Sequence, residues 1–456
     1  VRLAQRLWQT PVLVNSFTHI LRVLGGPFSV LLIARHLSLE SQGIYYSILN
    51  LVILQIWAEA GLTHILITFS SHESPQLEWT PSGLPRAPQE NLRRLSQLLK
   101  VALYYFAIAS PILGLGLAGV GMLAFGRLEA GQRLAVGTVW LGAIFPICLR
   151  FMMTGLWSVF EGCGRMLWVY RMRMLDTVLS LLTLWLGLYF GLGIYALPLS
   201  YWTGYCVQLG AMVRVRASIL ELLRCSPKGI DWGMVGEIWP LQWRLALAAM
   251  AGVIGSQFSS LMVYFHSASE AGRLGMTWSL LAGGCALCGI LITARNPHQC
   301  VLVARGERQL ARNYFRKTLI GVIGLSCAGV AAATVLVWCV REFQPRWAVR
   351  ILDVPTTGIL GVGLVLNWFT TAQCTWVRAH KQEPFLAMSL ITAAGIFLGI
   401  AWLAPTLGSY GLALAYTGSL AVLTLPVTTY FSERLLLKPA AEGFVEVSPK
   451  QCPGES

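Results

Sequence analysis

The stretch "SFTHILRVLGGPFSVLLIARHL", residues 16–37, has the length and apolarity of a membrane-spanning helix, with an arginine in its middle. A bilayer core of about 30 Å needs roughly 20 apolar residues in helical form. The segment meets that need, yet it puts Arg22 where a charge is most costly. At that depth a guanidinium must meet a carboxylate or a watery cavity rather than lipid.

The rest of the chain repeats the pattern. Its 456 residues are 55% hydrophobic and only 12% charged, with a mean hydropathy of +0.63, outside the range of soluble globular proteins. Apolar runs of spanning length recur at 11–35, 44–70, 98–124, 134–160, 173–195, 197–214, 239–265, 274–294, 317–341, 356–378, 385–404 and 409–432. The sequence therefore predicts an all-α integral membrane protein of about twelve transmembrane helices. The first run lacks a small-residue cleavage site after a short core, so it is expected to stay in place.

Orientation follows from the 34 Lys and Arg residues. With a cytoplasmic N-terminus, 24 of them fall in cytoplasmic segments, among them Arg2, Arg93, Arg94, Arg171, Arg173, Arg312 and Arg316. Seven fall on the opposite side, including Arg35, Arg273 and Arg350, and Arg22, Arg150 and Arg244 lie inside spans. That excess predicts both termini on the cytoplasmic side. The net charge of +14 needs no nucleic acid, because anionic lipid headgroups are partner enough.

Most of the eleven cysteines sit in apolar runs, so no structural disulfide is expected. Cys285 and Cys288 form a C-x-x-C inside "GGCALCGI", without further ligands nearby. It reads as a small-residue packing surface rather than a metal or redox site. No metal or cofactor is expected.

An internal repeat organises the chain. Laid over "GSQFSSLMVYFHSASEAG" (255–272), "GGPFSVLLIARHLSLESQG" (25–43) matches Gly25 with Gly255, Phe28 with Phe258, His36 with His266 and Glu40 with Glu270. One gapped residue brings Gly43 onto Gly272. The offset is half the chain, which predicts two parallel six-helix lobes at 1–214 and 239–432. Residues 215–238 then form an amphipathic connector on the inner leaflet, with Ile219, Leu222 and Leu223 toward lipid. Residues 71–97 read as an interfacial linker, and 433–456 as a disordered tail rich in Glu, Pro, Ser and Gly.

Candidate functional residues are polar groups inside these spans. On the first helix Asn15, His19, Arg22, Gly26 and Ser29 fall within about 80° of one another at 100° per residue. Either Arg22 fixes helix packing through an internal salt bridge, or it serves an anion whose oxygens match the planar guanidinium fork. Gly25, Gly26 and Pro27 follow it and mark a kink and a candidate hinge. Arg150 lies below Pro146 on the fourth helix, in line with Thr154 and Trp157. Arg244 is near enough to the cytoplasmic surface to snorkel. Glu59, in line with Gln55 and Thr63, is a candidate counter-ion for an arginine or a coupling carboxylate for H⁺ or Na⁺. Asp176 is placed at the cytoplasmic start of the fifth helix, where a negative charge suits the helix dipole. Tyr201, Tyr205 and Gln208, and Asn367, Thr370, Thr371 and Cys374, add uncharged polar faces. The seventeen tryptophans mostly lie near helix ends, as an interfacial belt would place them.

The block "RVLGGPFSVLLIARHLSLESQGIYYSILNLVILQIWAEAGLTHILITFSSHE" (22–73) resembles the polysaccharide-export flippases of the multidrug/oligosaccharidyl-lipid/polysaccharide (MOP) transporter superfamily. The likeness rests on a first helix ending at a short turn, on S-x-E-x-x-G-x-Y (Ser38, Glu40, Gly43, Tyr45), and on a second helix with an acidic residue before Gly-Leu (Glu59, Gly61, Leu62). The resemblance implies a V-shaped pair of six-helix lobes in a bacterial inner membrane. It also implies alternating access that carries a polyprenyl-diphosphate-linked oligosaccharide to the outer leaflet, alongside other polysaccharide-assembly proteins. Arg22, aided by Arg150 and Arg244, would hold the diphosphate. A multidrug or cation antiporter of the same superfamily is the alternative, and a membrane-embedded polymerase or ligase a more distant one. The enzyme reading lacks a large external loop, a phosphate-binding glycine loop and H-E-x-x-H.

Overall fold

A computed structural model describes residues 11–73, 77–80, 83–126, 130–226, 229, parts of 231–247, 268–304, 307–380 and 384–437. The helices are α1 (Pro11–His36), α2 (Leu39–Val52), α3 (Gln55–Glu59), α4 (Leu62–Glu73), α5 (Gln89–Phe125), α6 (Ala130–Phe160), α7 (Met166–Tyr189) and α8 (Ala196–Arg224). After the connector come α9 (Ala268–Ala304), α10 (Arg308–Phe343), α11 (Val354–Ala379), α12 (Leu386–Ser419) and α13 (Leu425–Leu437).

Among the described residues six segments are long and apolar enough to cross a membrane, and two of these hold a pair of the expected spans. The pair 134–160 and 173–195 is joined by a π turn at Glu161–Arg165, where Gly164 has φ +82°. The pair 385–404 and 409–432 is bent at Gly408, with φ +54° and ψ −133°. The sixth and tenth spans form as α8 and α11. The second is broken into α2, α3 and α4, with Ala60 (φ +50°) and Gly61 (φ +69°) left-handed between the last two. Hydropathy sees no such break, because it is a backbone event inside an unbroken apolar run. The Tyr105 hydroxyl on α5 donates to Ala58 O at 2.9 Å and so satisfies one carbonyl beside the break. Most of the seventh span, and residues 255–267 of the repeat, lie outside the described residues.

Large apolar side chains cover the outer faces, among them Leu115, Met122, Leu134, Ile320 and Val422, all strongly exposed. That surface suits lipid, and the chain is a multi-pass membrane protein. Inside, α1 packs on α7, α5 on α6, and α8 on both α6 and α7, forming one lobe. A second lobe joins α9, α10, α11, α12 and α13.

The lobes meet where α1 and α2 lie against α9. There the repeat-matched glycines touch each other: a Cβ on Gly272 would stand 3.0 Å from Gly43 N. Fully buried Gln42 donates from Nε2 to Gly272 O (2.9 Å) and Arg350 O (3.2 Å), while Arg350 Nη1 donates to Gln42 Oε1 at 3.1 Å. Ser38 caps α2 by accepting from Ser41 N at 3.1 Å. The S-x-E-x-x-G-x-Y segment thus shapes the turn and carries the seam between lobes.

Two expected boundaries shift. α8 runs on to Arg224, so residues 215–224 are its last turns rather than a separate connector. The chain beyond is fastened along α5, where Gln97 Nε2 donates to Ser226 Oγ, Lys100 Nζ to Ser226 O (3.1 Å) and Asp231 N to Gln97 Oε1 (3.1 Å). Within 71–97, strands β1 (Glu78–Trp79) and β2 (Pro85–Arg86) pair antiparallel. This hairpin docks on the π turn through Trp79 Nε1 to Cys163 O (2.9 Å) and the Arg165 guanidinium over the Trp79 ring (4.2 Å). Helix α13 ends at Leu437, and the rest of the expected tail lies outside the described residues.

Candidate functional site: a charged wall in the first lobe

Helices α1, α6, α7 and α8 bring their mid-span polar residues together. Arg150 on α6 donates from Nη2 to Asp176 Oδ2 on α7 at 2.7 Å. Gln208 Nε2 on α8 donates to the same oxygen at 2.9 Å, and Ser180 Oγ to Asp176 Oδ1 at 3.2 Å. Trp157 Nε1 fixes the Gln208 amide by donating to its Oε1 at 3.1 Å. Gly204 makes the pair possible, since a Cβ there would stand 2.5 Å from Asp176 Oδ1 and 2.6 Å from Arg150 Nη1.

Arg22 reaches this wall from α1. Its Nη2 donates to Thr177 Oγ1 at 3.1 Å, and it lies within electrostatic reach of Asp176, Arg150 and Arg173. Its side chain is otherwise exposed, and among the described residues no carboxylate comes within ion-pair distance of it. Against lipid, a mid-span guanidinium whose partner among the described residues is a hydroxyl would have its charge uncompensated. Nearby, Arg173 pairs with Glu161 at 2.8 Å, and Tyr170 OH donates to Glu161 Oε1 at 2.8 Å. That second pair is neutral as a unit, so Arg22 is the surplus charge of the cluster.

The sequence placed Asp176 at a helix start, whereas it stands ten residues past the first residue of α7. The reason is Arg171 and Arg173, which interrupt the apolar pattern although α7 begins before them at Met166 and passes through both. Arg150, in line with Thr154 and Trp157 as expected, meets Asp176 rather than Glu59. Glu59 is half-buried on α3 and makes no ion pair among the described residues. Asn15 is half-buried on α1, the side chain of His19 is not described, and Arg244 lies outside the described residues.

Of the candidate hinge, Gly25 is a packing position: a Cβ would stand 3.2 Å from the Trp185 ring of α7. Trp185 Nε1 also donates to Ser29 Oγ at 2.8 Å, fastening α1 to α7 on either side of Pro27. Gly26 faces open space, and α1 continues through Pro27. The Cys285 and Cys288 thiols lie against Ser326 O (3.8 Å) and Val322 O (3.6 Å), which is the packing role their spacing suggested. Among the described residues no group of His, Cys, Asp and Glu could hold a metal ion.

No family model matches the chain, and no curated protein matches it in sequence. Solved structures do match in three dimensions. The inward closed conformation of the lipid II flippase MurJ superposes with a TM-score of 0.64 at 11% identity, over 92% of this chain and 90% of that one. The chain has the fold of the MOP-superfamily transporters. An inward-facing multidrug resistance MATE transporter of that superfamily gives 0.65 at 14% identity, over 94% of this chain and 98% of its own. An outward-facing MATE conformation gives 0.57 at 11% identity, over 94% and 97%. The charged wall lies on α1, α6, α7 and α8.

Proposed function

We propose that the chain is an alternating-access flippase that moves a polyprenyl-diphosphate-linked oligosaccharide from the cytoplasmic to the outer leaflet of a bacterial inner membrane. The observation that carries this reading is Arg22: an exposed guanidinium at mid-span, held by Thr177 and left without a carboxylate among the described residues. A wall whose charges sum to one positive favours an anion, and a guanidinium fork suits phosphate oxygens. The apolar exterior lets a lipid tail stay in the bilayer while the headgroup enters the cavity. On the positive-inside orientation both termini are cytoplasmic and the seam at Gln42 and Gly272 lies toward the outer side. No covalent step is required, so catalytic residues have no part in it. Glu59 remains the carboxylate available for H⁺ or Na⁺ coupling.

The second reading is a multidrug antiporter, supported by the MATE superposition. A cationic drug would need a surplus carboxylate; Asp176 and Glu161 are already paired with arginines, which leaves Glu59 as its candidate. The test is transbilayer movement of a fluorescent polyprenyl-diphosphate sugar in proteoliposomes. We expect Arg22→Gln to lower the rate about 10- to 100-fold in a folded protein, the loss of one charge-assisted hydrogen bond to phosphate. Unchanged movement in Arg22→Gln, or efflux of a cationic dye in place of lipid movement, would overturn the anion reading.

A further inference from the structure

The Arg150–Asp176 pair is asymmetric in a way that packing alone does not call for. The Asp176 side chain is only 8% exposed, while Arg150 keeps 26% of its side-chain surface open. A ligand on that open side can therefore reach the cation without reaching the anion. Asp176 also does not depend on Arg150 alone, because Gln208 Nε2 and Ser180 Oγ donate to it as well. If Arg150 turned away, the carboxylate would keep two neutral donors, one of them fixed in turn by Trp157. Consecutive residues of α7 do both tasks: Asp176 holds Arg150, and Thr177 holds Arg22.

From this arrangement we infer that Asp176 is a tethered stand-in for substrate: its carboxylate occupies Arg150 when no ligand is bound, and the second phosphate of a dianionic ligand takes Arg150 from it. The inference rests on the reading of Arg22 as the anion grip. Arg22, Arg150 and Asp176 together carry one net positive charge, which a monoanion matches through Arg22 alone. A dianion brings one charge more and pairs with the released Arg150, which leaves the site one net negative charge, held on Asp176 by the Gln208 and Ser180 donors. When the ligand leaves, Asp176 recaptures Arg150, so the empty carrier never closes around two bare arginines, each of which would be costly to desolvate. Asp176 in this role is a positioning residue that sets how many negative charges the site accepts.

The test compares two probes of fixed charge: methyl geranyl phosphate, a monoanionic diester, and the methyl geranyl diester of diphosphoric acid, a dianion. Their binding to purified full-length protein in detergent is measured by calorimetry. Asp176→Asn keeps a group for Gln208 and Ser180 to bond but frees Arg150, so dianion affinity is expected to rise at least about tenfold and monoanion affinity less than about threefold. The double variant Asp176→Asn/Arg150→Gln restores the net charge and guards against a folding artefact. In it the dianion's gain is expected to vanish. Equal gains for both probes, or weakened binding of both by Asp176→Asn in a protein as thermally stable as the double variant, would overturn the inference. Arg22→Gln separates the two levels. If it abolishes binding while Asp176→Asn changes nothing, only the stand-in role falls; if it leaves both probes bound as before, the anion grip itself falls.

Discussion

The interiors of the two lobes solve the same burial problem with different chemistry. In the first lobe the mid-span polar groups are charged: Arg150 with Asp176, Arg173 with Glu161, and Arg22 in surplus. In the second they are neutral. Gln373 donates to Thr429 Oγ1 (3.1 Å) and accepts from Thr428 (2.7 Å), Thr392 and Thr424 share a hydrogen bond of 2.9 Å, and no ion pair occurs among the described residues. Hydroxyls and amides can fasten helices to one another without a charge to balance. Arg295, half-buried on α9, bonds Thr318 Oγ1 at 3.3 Å and leans over the Tyr314 ring. Among the described residues, polar fastening thus occurs in both lobes and the ion pairs fall in the first.

The sharpest way to break this contrast is to remove the charge without removing volume. Asp176→Leu leaves the part-buried Arg150 and the Gln208 amide without their acceptor. The first lobe is expected to lose about 2–4 kcal/mol, somewhat below the usual range for a broken buried pair because Arg150 is partly solvated. Denaturant titration in detergent measures it, and a loss below about 1 kcal/mol would make the pair incidental. Gly204→Ala attacks the same pair from α8. With Asp176 and Arg150 both within 2.6 Å of the new Cβ position, the pair must separate or α8 must shift, at about 1–3 kcal/mol.

How much of this wall was legible in the sequence depends on what carries each part. Arg22 and Arg150 stood out because a charge inside an apolar run is conspicuous. Their surroundings did not, because which helices adjoin is a property of packing rather than of any one segment. Asp176 was misplaced by the arginines that precede it in α7, which resemble a helix boundary to a hydropathy reading and are in fact helix interior. The repeat announced Gly43 and Gly272 as equivalents, and they turn out to lie against each other at the seam. Gln42, which does the fastening there, is one polar residue near the start of α2 and carries no signal of its own. Gln373 was passed over for its neighbours Thr370 and Thr371, whose hydroxyls bond back to their own helix at Leu366 O and Asn367 O.

The seam tests whether the lobes move as separate units. Gln42→Leu leaves the Gly272 and Arg350 carbonyls and one Arg350 amine without their buried partner, at about 1–3 kcal/mol. Because the cost falls on the contact between lobes, the expected readout is separation rather than unfolding. Spin labels at the exposed positions Leu134 on α6 and Val335 on α10 should move apart in the variant. An unchanged distance would mean that the packing of α1 against α9 holds the lobes together without Gln42.

The smallest effect is expected in the second lobe, and it sharpens the contrast from the other side. Thr428→Val keeps the shape of a fully buried side chain but removes the donor to Gln373 Oε1. The Gln373 Nε2 bond to Thr429 survives, so one neutral acceptor is left unpaired, at about 1–2 kcal/mol. Since no charge changes, binding of an anionic probe should stay within about twofold of the parent, below the 1.4 kcal/mol that a tenfold change represents. A large loss of anion binding in a stable Thr428→Val protein would show that the neutral lobe grips the substrate as well, and the division of labour between the halves would have to be redrawn.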